Sequence, residues 1–170
     1  MLEEIADAHG LKRYPEAVAE GLIEPGIQPL TDALYESGAN PLASCEGHTR
    51  SIGHSGVSWL LQFFGMPAST TMSTSPYAMF SASESYARCL QQKCDDHIRI
   101  QAFIYNWWVR AHFVPGEYEL VWMIQLNDSR SGTRSFDLVK ARQDIRQLAL
   151  VARQAAVACG FTTNHPRREL

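Results

Sequence analysis

Residues 107–126 leave this chain the least freedom. Trp107, Val109, Ala111 and Phe113 alternate with Trp108, Arg110 and His112; after Pro115-Gly116-Glu117 the alternation resumes through Tyr118, Leu120, Trp122, Ile124 and Leu126. A period of two puts successive side chains on opposite faces of a strand. Two such runs around a proline-glycine turn therefore read as an antiparallel hairpin with one strongly apolar face. That face has to be covered, and the longest periodic segment follows it. Asp137 is placed to cap a helix over 138–158, with Leu138, Ala141, Ile145, Leu148, Ala152 and Ala155 on the inner stripe and Gly160 as its stop.

Upstream, Ile27, Leu30 and Leu34 lie on one side of a helix over 27–37, and Gly38 stands where a left-handed terminator is expected. The strand Pro41–Cys45 follows directly. A second strand is expected over Pro76–Ala82. Ser83 then caps a helix that begins at Glu84, with Tyr86, Leu90 and Cys94 inward and fraying near Asp95-Asp96. Residues 98–104 fit either strand or helix. Residues 46–75 are rich in Ser, Thr and Gly and poorly patterned, apart from Trp59-Leu60-Leu61-Gln62-Phe63-Phe64, a core element or a lid over the Cys45 end.

This order of elements gives an α+β fold, a mixed or antiparallel sheet of about four strands with helices packed on one face. At 170 residues with 45% hydrophobic content the chain suits one domain, placed at 25–165. Residues 1–24 read as an acidic helical arm, ended by Glu24-Pro25-Gly26, that caps the core from outside. No apolar run approaches the roughly 20 residues of a membrane span, and the acidic start lacks a signal peptide's pattern, so a cytoplasmic protein without a membrane partner is expected. Its cysteines, Cys45, Cys89, Cys94 and Cys159, show no CxxC pairing and are expected as reduced thiols.

The chemistry concentrates in Ser44-Cys45-Glu46-Gly47-His48, where an apolar strand runs into a thiol, a carboxylate and an imidazole. Three readings stay open. Cys45 is a nucleophile with a histidine as base (His48, or the remote His54 or His112) and Glu46 as orienter. Alternatively Cys45, His48 and His54 hold a metal, although the spacing matches no standard set. Or the stretch is a structural turn around Gly47. Alternation along a strand sets Cys45 and Glu46 on opposite faces, which opposes a pocket shared by both. No metal is expected, because ligand spacing supports none, and no cofactor, because the Walker, dinucleotide and deaminase signatures are all absent.

Charge is divided along the chain. Residues 1–127 carry 14 acidic against 7 basic side chains, and residues 128–170 carry 4 against 8. Arg142, Arg146 and Arg153 share a 40° arc of the long helix, and with Arg130 and Arg134 they make a candidate partner-binding edge. A net charge of −3 makes direct nucleic-acid binding unsuited as the main role.

The S-C-E-G-H run, preceded by a helix and followed by Pro76-Tyr77 and Phe80, resembles a pattern among small proteins of bacterial phages and plasmids. It is more faintly similar to the wybutosine-synthesis methyltransferase-like fold, whose strand ends in S-C-S-G-R; His48 stands where that motif has arginine. The first resemblance implies an accessory protein of a mobile element. It would be a non-catalytic binder that inhibits or remodels a host protein or ribonucleoprotein defence complex, of the anti-CRISPR or anti-restriction type. The alternative expectation is a small thiol- or metal-dependent enzyme centred on Cys45 and His48.

Overall fold

A computed structural model describes residues 13–53, 69–113, 120–131 and 136–161. Its elements in chain order are α1 (Tyr14–Ala19), α2 (Gln28–Glu36), β1 (Asn40–Cys45), β2 (Thr49–Gly53), β3 (Ser69–Ser73), β4 (Tyr77–Ser81), α3 (Glu84–Arg99), β5 (Trp107–Phe113), β6 (Leu120–Leu126) and α4 (Leu138–Ala158). The expected α+β architecture is observed. Four strands form one sheet in the order β1-β4-β6-β5, antiparallel at every pairing. β2 and β3 form a separate two-stranded antiparallel ribbon.

Register explains which side carries the core. Ala78 pairs with Ile124 and Phe80 with Trp122, while Val109 pairs with Ile124 and Trp107 with Leu126. These side chains share one face and join a single cluster with Leu30 and Leu34 of α2, Leu90 and Cys94 of α3, and Ile145, Leu148 and Val151 of α4. Burying a large apolar side chain of this kind contributes ~2 kcal/mol, which makes the face the main source of stability. Helix α4 packs against both α2 and α3. Its inner stripe of Ala141, Ala149, Ala152, Ala155 and Ala156 lets the neighbouring helices approach closely. The other face of the sheet carries Tyr77, Met79, Met123 and Gln125, half-buried, and Trp108 and Arg110, exposed.

A buried carboxylate ties α4 to the start of β5. Asp144, 2% exposed, accepts hydrogen bonds from the backbone N–H groups of Ile104 (2.9 Å) and Tyr105 (2.9 Å) and from the indole of Trp107 (3.1 Å). Residues 100–106 are neither strand nor helix: the backbone donors of Ile104 and Tyr105 turn onto Asp144, while those of Ile100, Gln101 and Ala102 return to the end of α3.

Three further expectations change. Helix α3 does not fray at Asp95-Asp96 but continues to Arg99, with Gln91 bonded to Asp95. The poorly patterned stretch contains the β2–β3 ribbon; its short runs of Ser and Thr give no apolar alternation to read. The described part of the N-terminal arm lies against α2. Tyr14 is buried at 4% exposure against Tyr35, and its hydroxyl donates to Asp32 Oδ1 at 2.7 Å and lies 2.8 Å from the Thr31 hydroxyl. Finally, Cys89 and Cys159 are joined by a disulfide, not held as two thiols, because the end of α4 lies beside α3 with the two Cα atoms 6.6 Å apart. Cys94 is free and fully buried, and burial pushes its thiol up to about 12. Residues 2–12, the apolar run Trp59–Phe64 and the turn Pro115-Gly116-Glu117 lie outside the described residues. No described helix is long and apolar enough to cross a membrane.

Candidate functional site at the end of strand β1

Strand β1 is an edge strand, and an irregularity between Pro41 and Ala43 offsets its register against β4. Its last pair is Cys45 with Tyr77. Pairing ends there because Gly47 turns the chain at φ +82°, a left-handed conformation that side chains other than glycine's strain to adopt. The turn is also crowded: a Cβ on Gly47 would stand 2.7 Å from the Thr74 carbonyl oxygen. His48 is then pinned across the entrance to the β2–β3 ribbon. Its N–H donates to Thr74 Oγ1 at 2.8 Å, and its carbonyl accepts the Thr74 N–H at 2.7 Å.

The segment between α1 and α2 runs alongside this turn and clasps it. The Glu46 N–H donates to Glu24 Oε2 at 2.6 Å, and the Gly26 N–H donates to Glu46 Oε2 at 2.6 Å. Each carboxylate thus caps a backbone donor of the other strand of chain. Arg142 of α4 completes the arrangement, with Nη2 bonded to Glu46 Oε1 and to the Gly47 carbonyl. A Cβ on Gly26 would collide with the Glu46 carboxylate and push it off its present contacts.

These contacts separate the two acids that flank the thiol. Glu46 turns toward Gly26 and Arg142 and does not join Cys45, as strand alternation requires. The carboxylate that does join is Glu24, whose Oε1 lies 2.7 Å from His48 Nε2. The Cys45 sulfur accepts the Gly47 N–H at 3.3 Å. Donor atoms of Glu24, Cys45 and His48 all lie within 4.8 Å of one another. Glu24 and Cys45 are half-buried and His48 is exposed. The Gly47 N–H on the sulfur and the Glu24 carboxylate on the imidazole hold both side chains in place. The site therefore offers a sulfur, an oriented imidazole and a carboxylate around one point.

Of the expected residues, the structure brings Cys45 and His48 together and assigns Glu46 to the scaffold. His112 lies on β5, separated from β1 by β4 and β6, and His54 lies outside the described residues. The arginines do not form one free edge. Arg130 holds Asp128 in an ion pair, donates to the Ile104 carbonyl at 2.6 Å and stacks over Tyr105. Arg142 holds Glu46, and Arg153 reaches Glu36 of α2 at 2.7 Å. Arg146 is exposed on α4, and Arg134 lies outside the described residues. Glu24 carried no signal in the sequence beyond its place in a turn, because its partners stand more than 20 residues away.

A cavity of about 30 Å³ between α1 and β1, lined by Tyr14, Ala17, Ile23 and residues 41–44, has room for a water molecule but not a substrate. No family model, no curated protein and no solved structure matches this chain.

Proposed function

We propose that the end of β1 is the reactive centre of a small enzyme of the thiol- or metal-dependent class, with Cys45 and His48 as the reacting groups and Glu24 as their partner. One observation carries this reading. Three side chains able to bind an ion or move a proton converge from two separate segments, and Glu46, Gly26, Arg142 and Thr74 hold the backbone and carboxylates around them. A structural turn needs the Gly47 conformation but has no use for an imidazole fixed by a second segment's carboxylate. The reading as a binder of a host defence complex draws on the arginine edge, and internal carboxylates already engage Arg130, Arg142 and Arg153.

The test is peptide-resolved alkylation of the native protein across pH. Buried Cys94 serves as an unreactive internal reference. Cys45 is expected to label far faster than Cys94, with a rate that changes at least threefold in His48→Ala and stays unchanged in Arg146→Glu. A Cys45 rate indifferent to His48 would overturn the reading.

A further inference from the structure

We propose that Glu24, Cys45 and His48 form a three-ligand site for one divalent ion of the zinc class, with a fourth position open to solvent. The inference rests on the strand end being the reactive centre and decides between the two chemistries that reading allows.

Donor chemistry selects the ion. One thiolate, one imidazole and one carboxylate suit a borderline-soft transition ion, whereas magnesium and calcium require six or more oxygen ligands. Geometry fits the same ion with a small adjustment. Zinc bonds of ~2.3 Å to sulfur and ~2.0–2.2 Å to nitrogen and oxygen place tetrahedral ligands roughly 3.3–3.6 Å apart. The donors stand within 4.8 Å of one another, so the widest gap closes by about 1 Å, within side-chain movement alone. The His48–Glu24 contact, 2.7 Å, opens by a similar fraction as the ion replaces the proton between them.

The outer contacts are those a ligand set needs. The Gly47 N–H supports the sulfur, the Glu46 N–H fixes the second oxygen of Glu24, and Thr74 fixes the His48 backbone on both its donor and its acceptor. Such contacts hold ligands in place before the ion arrives and raise its affinity. A nucleophile–base pair fits less well, because Cys45 and His48 share no hydrogen bond, and His48 Nε2 is directed at Glu24 instead. Three protein ligands, with His48 exposed, leave a position for water or a substrate oxygen, the pattern of reactive zinc sites and not of closed structural ones. The expectation of no metal came from sequence spacing, which cannot pair Glu24 with residues 45 and 48.

The experiment is titration of the full chain, disulfide intact and no thiol reductant present, with Co(II) and Zn(II), and with Mg(II) and Ca(II) as controls. Co(II) is expected to bind at one equivalent with a near-ultraviolet thiolate charge-transfer band, displaced by Zn(II) and untouched by Mg(II) or Ca(II). Cys45→Ser is expected to abolish the band. Glu24→Gln, which keeps an oxygen for the Glu46 N–H, is expected to weaken Zn(II) binding at least tenfold, ~1.4 kcal/mol, with its melting temperature without metal close to wild type. A wild-type chain giving no thiolate band, or a band that survives Cys45→Ser, would overturn the proposal. If that failure comes with Cys45 alkylation that still depends on His48, the metal falls and the reactive centre stands. If the dependence is also missing, both fall.

Discussion

Two glycines with the same backbone conformation and different surroundings isolate what crowding contributes to the site. Gly38 sits at φ +83° and Gly47 at φ +82°, so an alanine meets the same left-handed penalty at either, ~1–2 kcal/mol. Around Gly38 nothing lies within 4 Å of an added Cβ, and the penalty is the whole effect. At Gly47 the Cβ would stand 2.7 Å from the Thr74 carbonyl oxygen and 2.7 Å from Leu138 Cδ1. Leu138 can move, but Thr74 is backbone already bonded to His48 and cannot move without opening the ribbon. Overpacking of this sort adds ~1–3 kcal/mol, which brings Gly47→Ala to about 2–5 kcal/mol. For a chain of this size, Gly38→Ala should lower the melting temperature by roughly 4 °C and Gly47→Ala by on the order of 10 °C. Urea titration gives both free energies directly, with an unchanged m-value as the check that the transition stays two-state. Equal losses in the two variants would refute the claim that the turn is built around a close approach to Thr74.

Asp144→Ala should cost about 3–5 kcal/mol in chemical denaturation, because it orphans buried donors on Ile104, Tyr105 and Trp107; a loss under ~1 kcal/mol would contradict its role in anchoring β5. The Arg130 hydrogen bond, with the backbone N–H groups of Arg130 and Asn106, holds the Asp128 carboxyl well below the usual range. Its stabilisation is therefore present above the unfolded value near ~4 and is lost as pH falls through the lower folded value. Asp128→Asn should accordingly destabilise by ~2 kcal/mol at neutral pH, with the difference from wild type shrinking toward pH 2, and a pH-independent difference would count against the assignment. Reducing the Cys89–Cys159 disulfide removes a cross-link spanning 70 residues and should lower stability by up to ~4 kcal/mol, measurable as a melting shift that Cys89→Ser with Cys159→Ser reproduces.

Periodicity made the large elements legible. The hairpin strands, the α4 stripe and the Gly38 terminator all follow from side chains that repeat every two or every 3.6 residues, and burial enforces those repeats. The β2–β3 ribbon escaped because its Ser and Thr runs pair through backbone and carry no apolar period. Asp144 escaped for a different reason: it occupies an inward position of a helix where an acid looks like an error, until the backbone of residues 104 and 105 supplies its donors. Within the site, the alternation rule separated Cys45 from Glu46, and the structure sends Glu46 to Gly26 and Arg142 accordingly. What local spacing could not supply was the third partner. Glu24 reaches His48 only because α1 and α2 fold back along β1, and Tyr14, buried against α2, anchors that return.

Zinc protection of Cys45 tests the central claim, that Glu24, Cys45 and His48 act as one centre. The measurement is the alkylation rate of Cys45, resolved by peptide mass spectrometry, with and without one equivalent of Zn(II), in wild type and in Glu24→Gln. Zinc is expected to slow Cys45 at least tenfold in wild type and much less at the same concentration in Glu24→Gln, with Cys94 unlabelled throughout. Zinc that leaves the Cys45 rate unchanged, or protects it equally in both proteins, would contradict that claim.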